Sequence, residues 1–467
     1  MNIQWYQKRW IGLIIAVLCG VMLMCTFKLS SSEEAGENGT SKKDEEVKPY
    51  GNTPEDLRPY SRFVRKPYKQ FFVSPPDNPI EFLGPGRDKP EPDVKAVKIG
   101  FIAPLERTHE DYMGRPMLWG TQMAIDEANA AGGYGGMGEG HPLPNPHPRG
   151  KPFELIVRND NGLWGASANE IVAFSYEDKV WAIIGSVDGA NTHIAIRVAL
   201  KTEVPIMNVS DTDPTLVETK IPWVFRNTAD DRQMIYTIAY YVYKQLGYRR
   251  VAILRADNRY GRFGVGEFKS SSIRLGRPAP IEINYEVHFK NVNPDFTIQM
   301  ERLERVKPEA VLLWADAEAA GHIVKKMRER GLNMPIFASD RVVNPIFLEI
   351  AGEAAEGVVA TYPYNPDDTD NEKLVTFKQN YKERFGIEPD AYAAHAYDGA
   401  NMIIEAIRKS GLNRYLIRDE LAKMKHYQGV TGEIIMDDAY SDRGQCAIAT
   451  VRNGKFVFGE PKTARLF

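Results

Sequence analysis

From residue 97 onward, short apolar runs alternate with longer amphipathic stretches. The apolar runs are VKIGFIAPL (97–105), FELIVRND (153–160), VWAIIGS (180–186), VPIMNVS (204–210), RRVAILRAD (249–257), AVLLWAD (310–316), MPIFASD (334–340) and GVVATYPY (357–364). Between residues 231 and 247, helical spacing relates Met234, Ile235, Ile238, Val242 and Leu246. Gly247 follows this stretch, which predicts a helix that ends there. Regular alternation of strands and helices predicts an α/β fold of parallel sheets covered by helices on both faces.

The pattern changes in the last part of the chain. Residues 431–459 contain short β-type runs, and Asn453 and Gly454 stand between two of them. Asn-Gly between apolar runs is the strongest short signal for a β-hairpin. The chain is therefore predicted to end in antiparallel strands.

The N-terminal region is predicted to lie outside the fold. Residues 11–27 are uncharged and follow Lys8 and Arg9, which predicts an uncleaved transmembrane signal anchor with residues 1–10 in the cytoplasm. A cleaved signal peptide is the alternative, and a lipid on Cys25 is disfavoured because the bulky Met24 precedes it. Residues 28–96 are rich in proline and charge, which predicts an extended or loosely draped tether.

Composition excludes several classes of function. The chain has 467 residues, of which 43% are hydrophobic and 26% charged, and its net charge is 59 − 62 = −3, so no basic excess indicates nucleic acid. Its three cysteines form neither a disulfide framework nor a cysteine metal site. No catalytic or phosphate-binding motif is present, and His109, His141 and His147 lie in loops that suit a metal poorly. We therefore expect no enzymatic activity, no cofactor and no metal.

Polar residues stand where the predicted strands end, at Ser186, Ser210, Asp257, Asp316 and Asp340. Parallel sheets bind ligands at the carboxyl ends of their strands. In AIIGSVDGANT (182–192), a strand, a glycine turn and a helix start follow one another, which is how α/β proteins hold anions. The pattern alone leaves open whether this turn holds a phosphate, a carboxylate or nothing.

From residue 97 to the end, the chain resembles the type I periplasmic binding proteins, most closely the leucine/isoleucine/valine-binding branch. The resemblance rests on KIGFIAPL…GTQMAIDEANAAGG (98–133), IIGSVDGANT (183–192), PIMNVSDTDPTL (205–216), FRNTADDRQ (225–233), VAILRADNRYG (251–261), DFTIQMERLERVKPEAVLL (295–313), IAGEAAEGVVATYPY (350–364) and HAYDGANMIIEAI (395–407). It implies two α/β lobes joined by three hinge crossings, near 226–230, 362–366 and 428–432. Lobe 1 would comprise 97–227 plus 366–428, and lobe 2 would comprise 228–363 plus 430–467.

The resemblance also implies where a ligand binds, in a cleft that closes between the lobes. In the family, the turn equivalent to 185–192 holds the ligand α-carboxylate with backbone N–H groups and a serine, whose position is Gly189 here. Thr212 matches the threonine that contacts the ligand backbone, Asp340 the acid that pairs with the α-ammonium, and Tyr260 a cleft tyrosine, whereas Asp316 replaces an aromatic residue. The candidate ligand-binding residues are Ser186, Asp188, Gly189, Ala190, Ser210, Asp211, Thr212, Tyr260, Asp316 and Asp340.

The aspartates leave the ligand open. Asp188, Asp211, Asp213 and Asp316 add negative charge that an aliphatic amino acid does not need. Each could instead be a helix N-cap or turn residue, or the ligand could carry extra positive charge or amide groups. The resemblance implies an extracytoplasmic protein that captures an amino acid or related small polar solute for an ABC permease. The alternative is a membrane-tethered sensing or assembly component with the same fold.

Overall fold

The computed structural model describes one compact unit of the chain, within Val47–Phe467. The described residues are 72–73, 81–82, 84, 86–106, 108, 110–135, 150–217, 221–276, 282–289, 295–444 and 446–459. The predicted anchor at 11–27, most of the tether, His109, His141 and His147 lie outside these ranges. Within them, no helix combines the length and the apolar character that a bilayer crossing requires.

Strands and helices alternate through most of the described chain. The strands are β1 (Phe72–Val73), β2 (Glu81–Phe82), β3 (Val97–Ala103), β4 (Phe153–Asn159), β5 (Ala182–Ile184), β6 (Ile206–Asn208), β7 (Val224–Arg226), β8 (Arg250–Ala256), β9 (Glu282–Phe289), β10 (Ala310–Trp314), β11 (Ile336–Ala338), β12 (Val359–Tyr362), β13 (His426–Gly429), β14 (Gly432–Ile435), β15 (Ala447–Arg452) and β16 (Lys455–Gly459). The α-helices are α1 (Asp111–Ala130), α2 (Trp164–Ala173), α3 (Gly189–Thr202), α4 (Asp231–Tyr240), α5 (Arg259–Leu275), α6 (Thr297–Val306), α7 (Ala317–Glu329), α8 (Pro345–Ala351), α9 (Glu372–Phe385), α10 (Ala391–Ser410) and α11 (Arg414–Lys423).

The described chain packs into two halves, each built around one large sheet, and a five-stranded parallel sheet organises the first half. Its strand order is β4-β3-β5-β6-β7. Helices α1 and α10 cover one face through side chains such as Met117 and Ile403. Helices α2 and α3 cover the other face through Ile171 and Ala199. Burial on both faces explains why these strands are apolar runs rather than alternating ones.

A seven-stranded sheet organises the second half, in the order β16-β15-β12-β11-β10-β8-β9. Its central strand β10 is buried at every position. Strands β15 and β16 pair antiparallel, and Asn453 and Gly454, both with positive φ, form the turn between them. The predicted C-terminal hairpin is therefore confirmed.

The helix predicted over 231–247 begins as expected but ends differently. Asp230 caps α4 through a capping box with Gln233. After Tyr240 the chain forms a π-helical turn, Tyr241–Gln245, and Gly247 ends the element with φ of 76°. Because a π turn inserts an extra residue into the helical spacing, Leu246 rotates outward and is 43% exposed instead of facing the core.

The third predicted hinge crossing, at 428–432, differs from the packing. Two backbone N–H groups there, of Val430 and Thr431, donate to the carboxylate of Asp398 on α10 at 2.8 and 2.9 Å. Side chains as far along as Tyr440 pack into the core of the first half, and only at Ala447 does the chain join the second sheet. We propose to place this crossing between 440 and 447; the other lobe boundaries stay predictions.

The end of the predicted tether is not loosely draped. The side-chain amide of Asn413 donates to the backbone oxygens of Gly86, Arg87 and Lys89 at 3.0, 3.2 and 3.1 Å. Tyr134 donates to the Glu91 carboxylate at 2.6 Å. Proline and charge prevent this segment from building a core of its own, but its carbonyl groups find partners on the first half.

Candidate functional site

The turn after β5 brings the N-terminus of α3 to the boundary between the two halves. Gly185 has φ of 122°, and a Cβ there would lie 1.9 Å from the Ile102 oxygen, so only glycine fits. Asp188 caps α3 by accepting from the Ala190 N–H at 2.8 Å. Asp188 therefore has the N-cap role that the sequence left open for it. Ala190 is exposed.

The two serines of this region serve the first half itself. Ser186 donates to the buried carboxylate of Asp160 at 2.5 Å. Ser210 donates to the backbone oxygen of Ser186 at 3.1 Å, and Asn208 donates to the same oxygen at 2.9 Å. Both hydroxyls therefore hold the turn in place within the first half.

The loop after β6 presents acidic and hydroxyl groups beside this turn. Asn208 accepts from the N–H of Asp211 at 2.8 Å, and Asp211 Oδ1 accepts from the N–H of Asp213 at 3.0 Å. The Thr212 oxygen accepts from the N–H of Asp231 at 2.8 Å, which ties the loop to the start of α4. Burial raises the pKa of Asp211 to about 7, and the nearby Asp213 carboxylate adds to this effect.

In the second half, a buried charged network faces these groups. Tyr260, in the first turn of α5, donates to Asp340 Oδ1 at 2.5 Å. Arg341 lies over the Tyr260 ring, 3.8 Å from its centroid, and donates to Asp316 Oδ1 at 2.7 Å. Burial raises the pKa of Asp340. Burial alone would lower the pKa of Arg341, but the Asp316 carboxylate raises it instead.

Arg259 bridges the two halves. Its guanidinium forms a short ion pair with Asp213 and donates to Thr215 Oγ1 at 2.9 Å. His193 of α3 lies 3.1 Å from the same guanidinium. Burial alone would raise the pKa of Asp213, but hydrogen bonds from His193, Thr215 and Arg259 outweigh it and lower that pKa. The pair therefore stays ionised at neutral pH.

These groups surround one small cavity of about 10 Å³ between the halves, which leaves room for about one water molecule. Its lining residues are Gly189, Asp211, Asp213, Asp231, Arg259, Tyr260, Phe263 and Arg341. Within the described ranges, no group of three or more histidine, cysteine or acidic side chains could hold a metal ion. The charged and polar lining can recognise a polar ligand once the two halves move apart to admit it.

The structure brings part of the predicted set together. Gly189, Asp211 and Tyr260 line the cavity, Thr212 and Asp340 adjoin it, and Asp316 reaches it through Arg341. Ser186, Ser210, Asp188 and Ala190 make their contacts within the first half or face solvent. A ligand-binding role for the set stays a prediction.

The predicted candidate set omits five lining residues: Asp213, Asp231, Arg259, Phe263 and Arg341. Asp231 stands directly after a helix cap, and Arg341 directly after the predicted Asp340. Their positions beside a strand end or a helix start could have indicated a place near the site. Residue type alone, however, does not show that a charged side chain faces inward.

Comparison with known proteins identifies the family. The family model described as periplasmic binding protein matches residues 96–455, so the chain belongs to this family, which comprises binding proteins rather than enzymes. Leu/Ile/Val-binding protein homolog 1 of Brucella abortus is 24% identical over 352 residues, which are 74% of this chain and 87% of that protein. Glutamate receptor 2.2 of Arabidopsis thaliana is 26% identical over 247 residues, half of this chain but only 26% of the receptor. A leucine-binding protein of Thermotoga maritima superposes with a TM-score of 0.70 at 26% identity, covering 78% of this chain and 98% of that one. The resemblance and the two-lobed α/β fold predicted from the sequence are confirmed.

Proposed function

Since the chain is a periplasmic binding protein, we propose that it captures an amino acid or a related small polar solute in the cavity between its lobes. The names of its relatives, which include Leu/Ile/Val-binding and leucine-binding proteins, support an amino acid. We also propose that it acts outside the cytoplasmic membrane, anchored by residues 11–27, and delivers the solute to an ABC permease.

The observation that carries this proposal is the meeting of buried charges from both lobes around one cavity. Asp211 comes from one lobe, and Asp231, Tyr260 and its partner Asp340 come from the other. Buried charged and polar groups cost free energy unless complementary groups satisfy them. A zwitterion supplies such groups only when both lobes surround it, so binding would favour the closed arrangement.

The proposed orientation follows the local charges. Gly189 borders the cavity at the N-terminus of α3, where the helix dipole favours the ligand carboxylate. Asp340, held by Tyr260, favours the ammonium group at the opposite side. Gly189 carries no hydroxyl, so backbone groups alone would hold the carboxylate at this position.

The test is a ligand screen with the full chain in detergent. Amino acids, amides, polyamines and small carboxylates are compared by thermal shift, and ligands that raise the melting temperature are titrated calorimetrically. Loss of Asp340 in the Asp340→Ala variant should weaken binding by about 30-fold or more, because the ligand ammonium would stay buried without its partner. Asp257→Ala, which removes an exposed carboxylate at a neighbouring strand end, is the matched control.

Two outcomes would contradict the proposal. One is that no amino acid or related solute changes the melting temperature. The other is that Asp340→Ala binds as tightly as the unaltered chain. The anchor is tested separately by mass spectrometry, where a mature N-terminus beyond residue 27 or a lipid on Cys25 would exclude it.

A further inference from the structure

The charges around the cavity do not balance. Both arginines that line it are already in ion pairs, Arg259 with Asp213 and Arg341 with Asp316. Each pair is close to neutral as a unit. The acidic groups that remain beside the cavity must therefore be neutralised by protons or by the ligand.

Among these acids, Asp231 has the greatest need of a compensating partner. Its side chain is fully buried, and neither carboxylate oxygen forms a hydrogen bond of normal geometry with a described residue, although the Thr212 hydroxyl lies close enough to favour the charged form. Its backbone N–H donates to the Thr212 oxygen, so the main chain holds the residue in place at the cavity. Unpaired buried carboxylates are costly to a fold, which makes a purely structural role for this side chain a poor explanation.

Two more oxygen atoms share this situation. Asp211 Oδ2 and Thr212 Oγ1 are buried and likewise form no hydrogen bond of normal geometry with a described residue, although the Thr192 hydroxyl lies close enough to Asp211 to favour its charged form. Thr212 is bonded through its backbone to Asp231, and both aspartates line the same cavity. Together they offer acceptors from neighbouring residues, and an ammonium group offers three N–H donors.

We infer that the ligand is an amino acid with a second cationic group on its side chain, and that Asp231, with Asp211 and Thr212, binds that group. This inference rests on the proposed function, in which Asp340 takes the α-ammonium. One α-ammonium would leave Asp211 and Asp231 without a cation. A side-chain ammonium would neutralise one of these two carboxyl groups, and the other would keep its proton.

Protonation gives the inference a second readout. Burial is the main cause that raises the pKa of Asp231, and the carboxylates of Asp340, Asp213 and Asp230 raise it further, whereas the Thr212 hydroxyl opposes the rise. The pKa of Asp211 is raised to about 7. Both shifts favour the protonated form of these carboxyl groups in the ligand-free protein, and a bound cation favours their ionised form. Binding should release protons, and affinity for the cation should rise with pH through about 7.

The test compares ornithine with norleucine, in which a methyl group replaces the side-chain ammonium. We expect the full chain to bind ornithine about tenfold or more tightly than norleucine. Titrations of ornithine in buffers of different ionisation enthalpy should report proton release. Equal or tighter binding of norleucine would overturn the inference and leave the proposed function standing, whereas binding of neither these nor any other amino acid would overturn the proposed function itself.

Variants localise the effect. Asp231→Asn keeps the shape of the side chain and should remove most of the preference for ornithine while norleucine binding stays unchanged. Asp211→Asn should reduce the preference in the same direction, and Asp257→Asn, in an exposed position, should leave it unchanged. A merely structural role would weaken both ligands equally, and that result, or a preference unchanged in Asp231→Asn, would refute the assignment.

Discussion

Replacing Arg259 by glutamine should loosen the contact between the two lobes. Arg259 belongs to α5 of the second half, and its partners Asp213, Thr215 and His193 belong to the first half. The substitution removes the charge and the branched donor group while keeping much of the side-chain length. It therefore tests whether this one side chain helps to hold the cavity closed.

The magnitude follows from the burial of the pair. The Asp213 side chain is 5% exposed and that of Arg259 is 30% exposed. Exposed ion pairs contribute roughly 0–1 kcal/mol, and removing one partner of a fully buried pair costs roughly 3–5 kcal/mol. Asp213 also keeps its two hydrogen bonds from Thr215 and gains water when the lobes part. We therefore expect the closed arrangement to lose about 1–2 kcal/mol, which is about 5- to 30-fold in its population relative to the open one.

Small-angle scattering and calorimetric titration measure the two consequences. The ligand-free Arg259→Gln variant should have a larger radius of gyration, and its affinity should fall by up to the same factor because fewer molecules are competent to bind. Arg262→Gln, an exposed position on the same helix, is the matched control. Arg259→Lys keeps the charge but loses the branched donor group, so its radius of gyration and affinity should lie between those of the unaltered chain and Arg259→Gln.

The pH dependence of this contact has a definite sign. The pKa of Asp213 is lowered in the folded protein, so the pair contributes stability above the unfolded pKa of about 4 and loses it as pH falls through the folded value. The contribution of this ion pair to closure should stay constant between pH 7 and pH 5, so the difference in radius of gyration between the unaltered chain and Arg259→Gln should shrink only in more acidic solution. An unchanged radius and an unchanged affinity in Arg259→Gln would refute the reasoning.

Three further substitutions test the fold around the site. Gly264→Ala should destabilise the chain by about 1–3 kcal/mol in denaturant unfolding, because its Cβ would lie 2.1 Å from the Trp314 indole nitrogen. Gly266→Ala on the same helix is the control, since its Cβ would meet nothing within 4 Å, and equal effects of the two substitutions would exclude this explanation. Ser186→Ala should lower the free energy of unfolding by about 1–3 kcal/mol because Asp160 loses a buried donor, yet change ligand affinity by no more than about twofold. A large loss of affinity would mean that the Ser186 hydroxyl contacts the ligand. Asn413→Ala should increase hydrogen exchange over residues 86–89, because the Asn413 side chain donates to the backbone oxygens of this segment. Asn371→Ala, which removes a comparable helix cap elsewhere, should not. Protection that persists in Asn413→Ala would mean that other contacts hold the segment.

Much of the architecture could be predicted from local pattern. Apolar runs mark the parallel strands, since burial on both faces leaves little room for polar residues. Asn453 and Gly454 mark the hairpin because their positive φ values suit the turn. The outward rotation of Leu246 could not be predicted, because the π turn before it changes the helical spacing on which the prediction depends.

The candidate site could be predicted only in part. Their position at strand ends indicated Asp316 and Asp340 as candidate ligand-binding residues. Which groups these carboxylates contact depends on their neighbours in the folded chain. Asp340 accepts from Tyr260, 80 positions away along the chain, and Asp316 pairs with Arg341. Local sequence signals left open whether Asp188 is an N-cap, and the structure gives it that role.

The sequence by itself determined the strand and helix alternation, the hairpin at the end and the family, because hydrophobic spacing, turn residues and motif order are properties of neighbouring positions. Only the tertiary structure decided that Ser186 donates to Asp160, that Arg259 joins the two halves and that Asp231 lies at the cavity with no cationic partner among the described residues. The free energy of a buried charge depends on which groups surround it. Those groups come from segments far apart in the chain, so no local pattern shows which charges are paired and which still need a ligand.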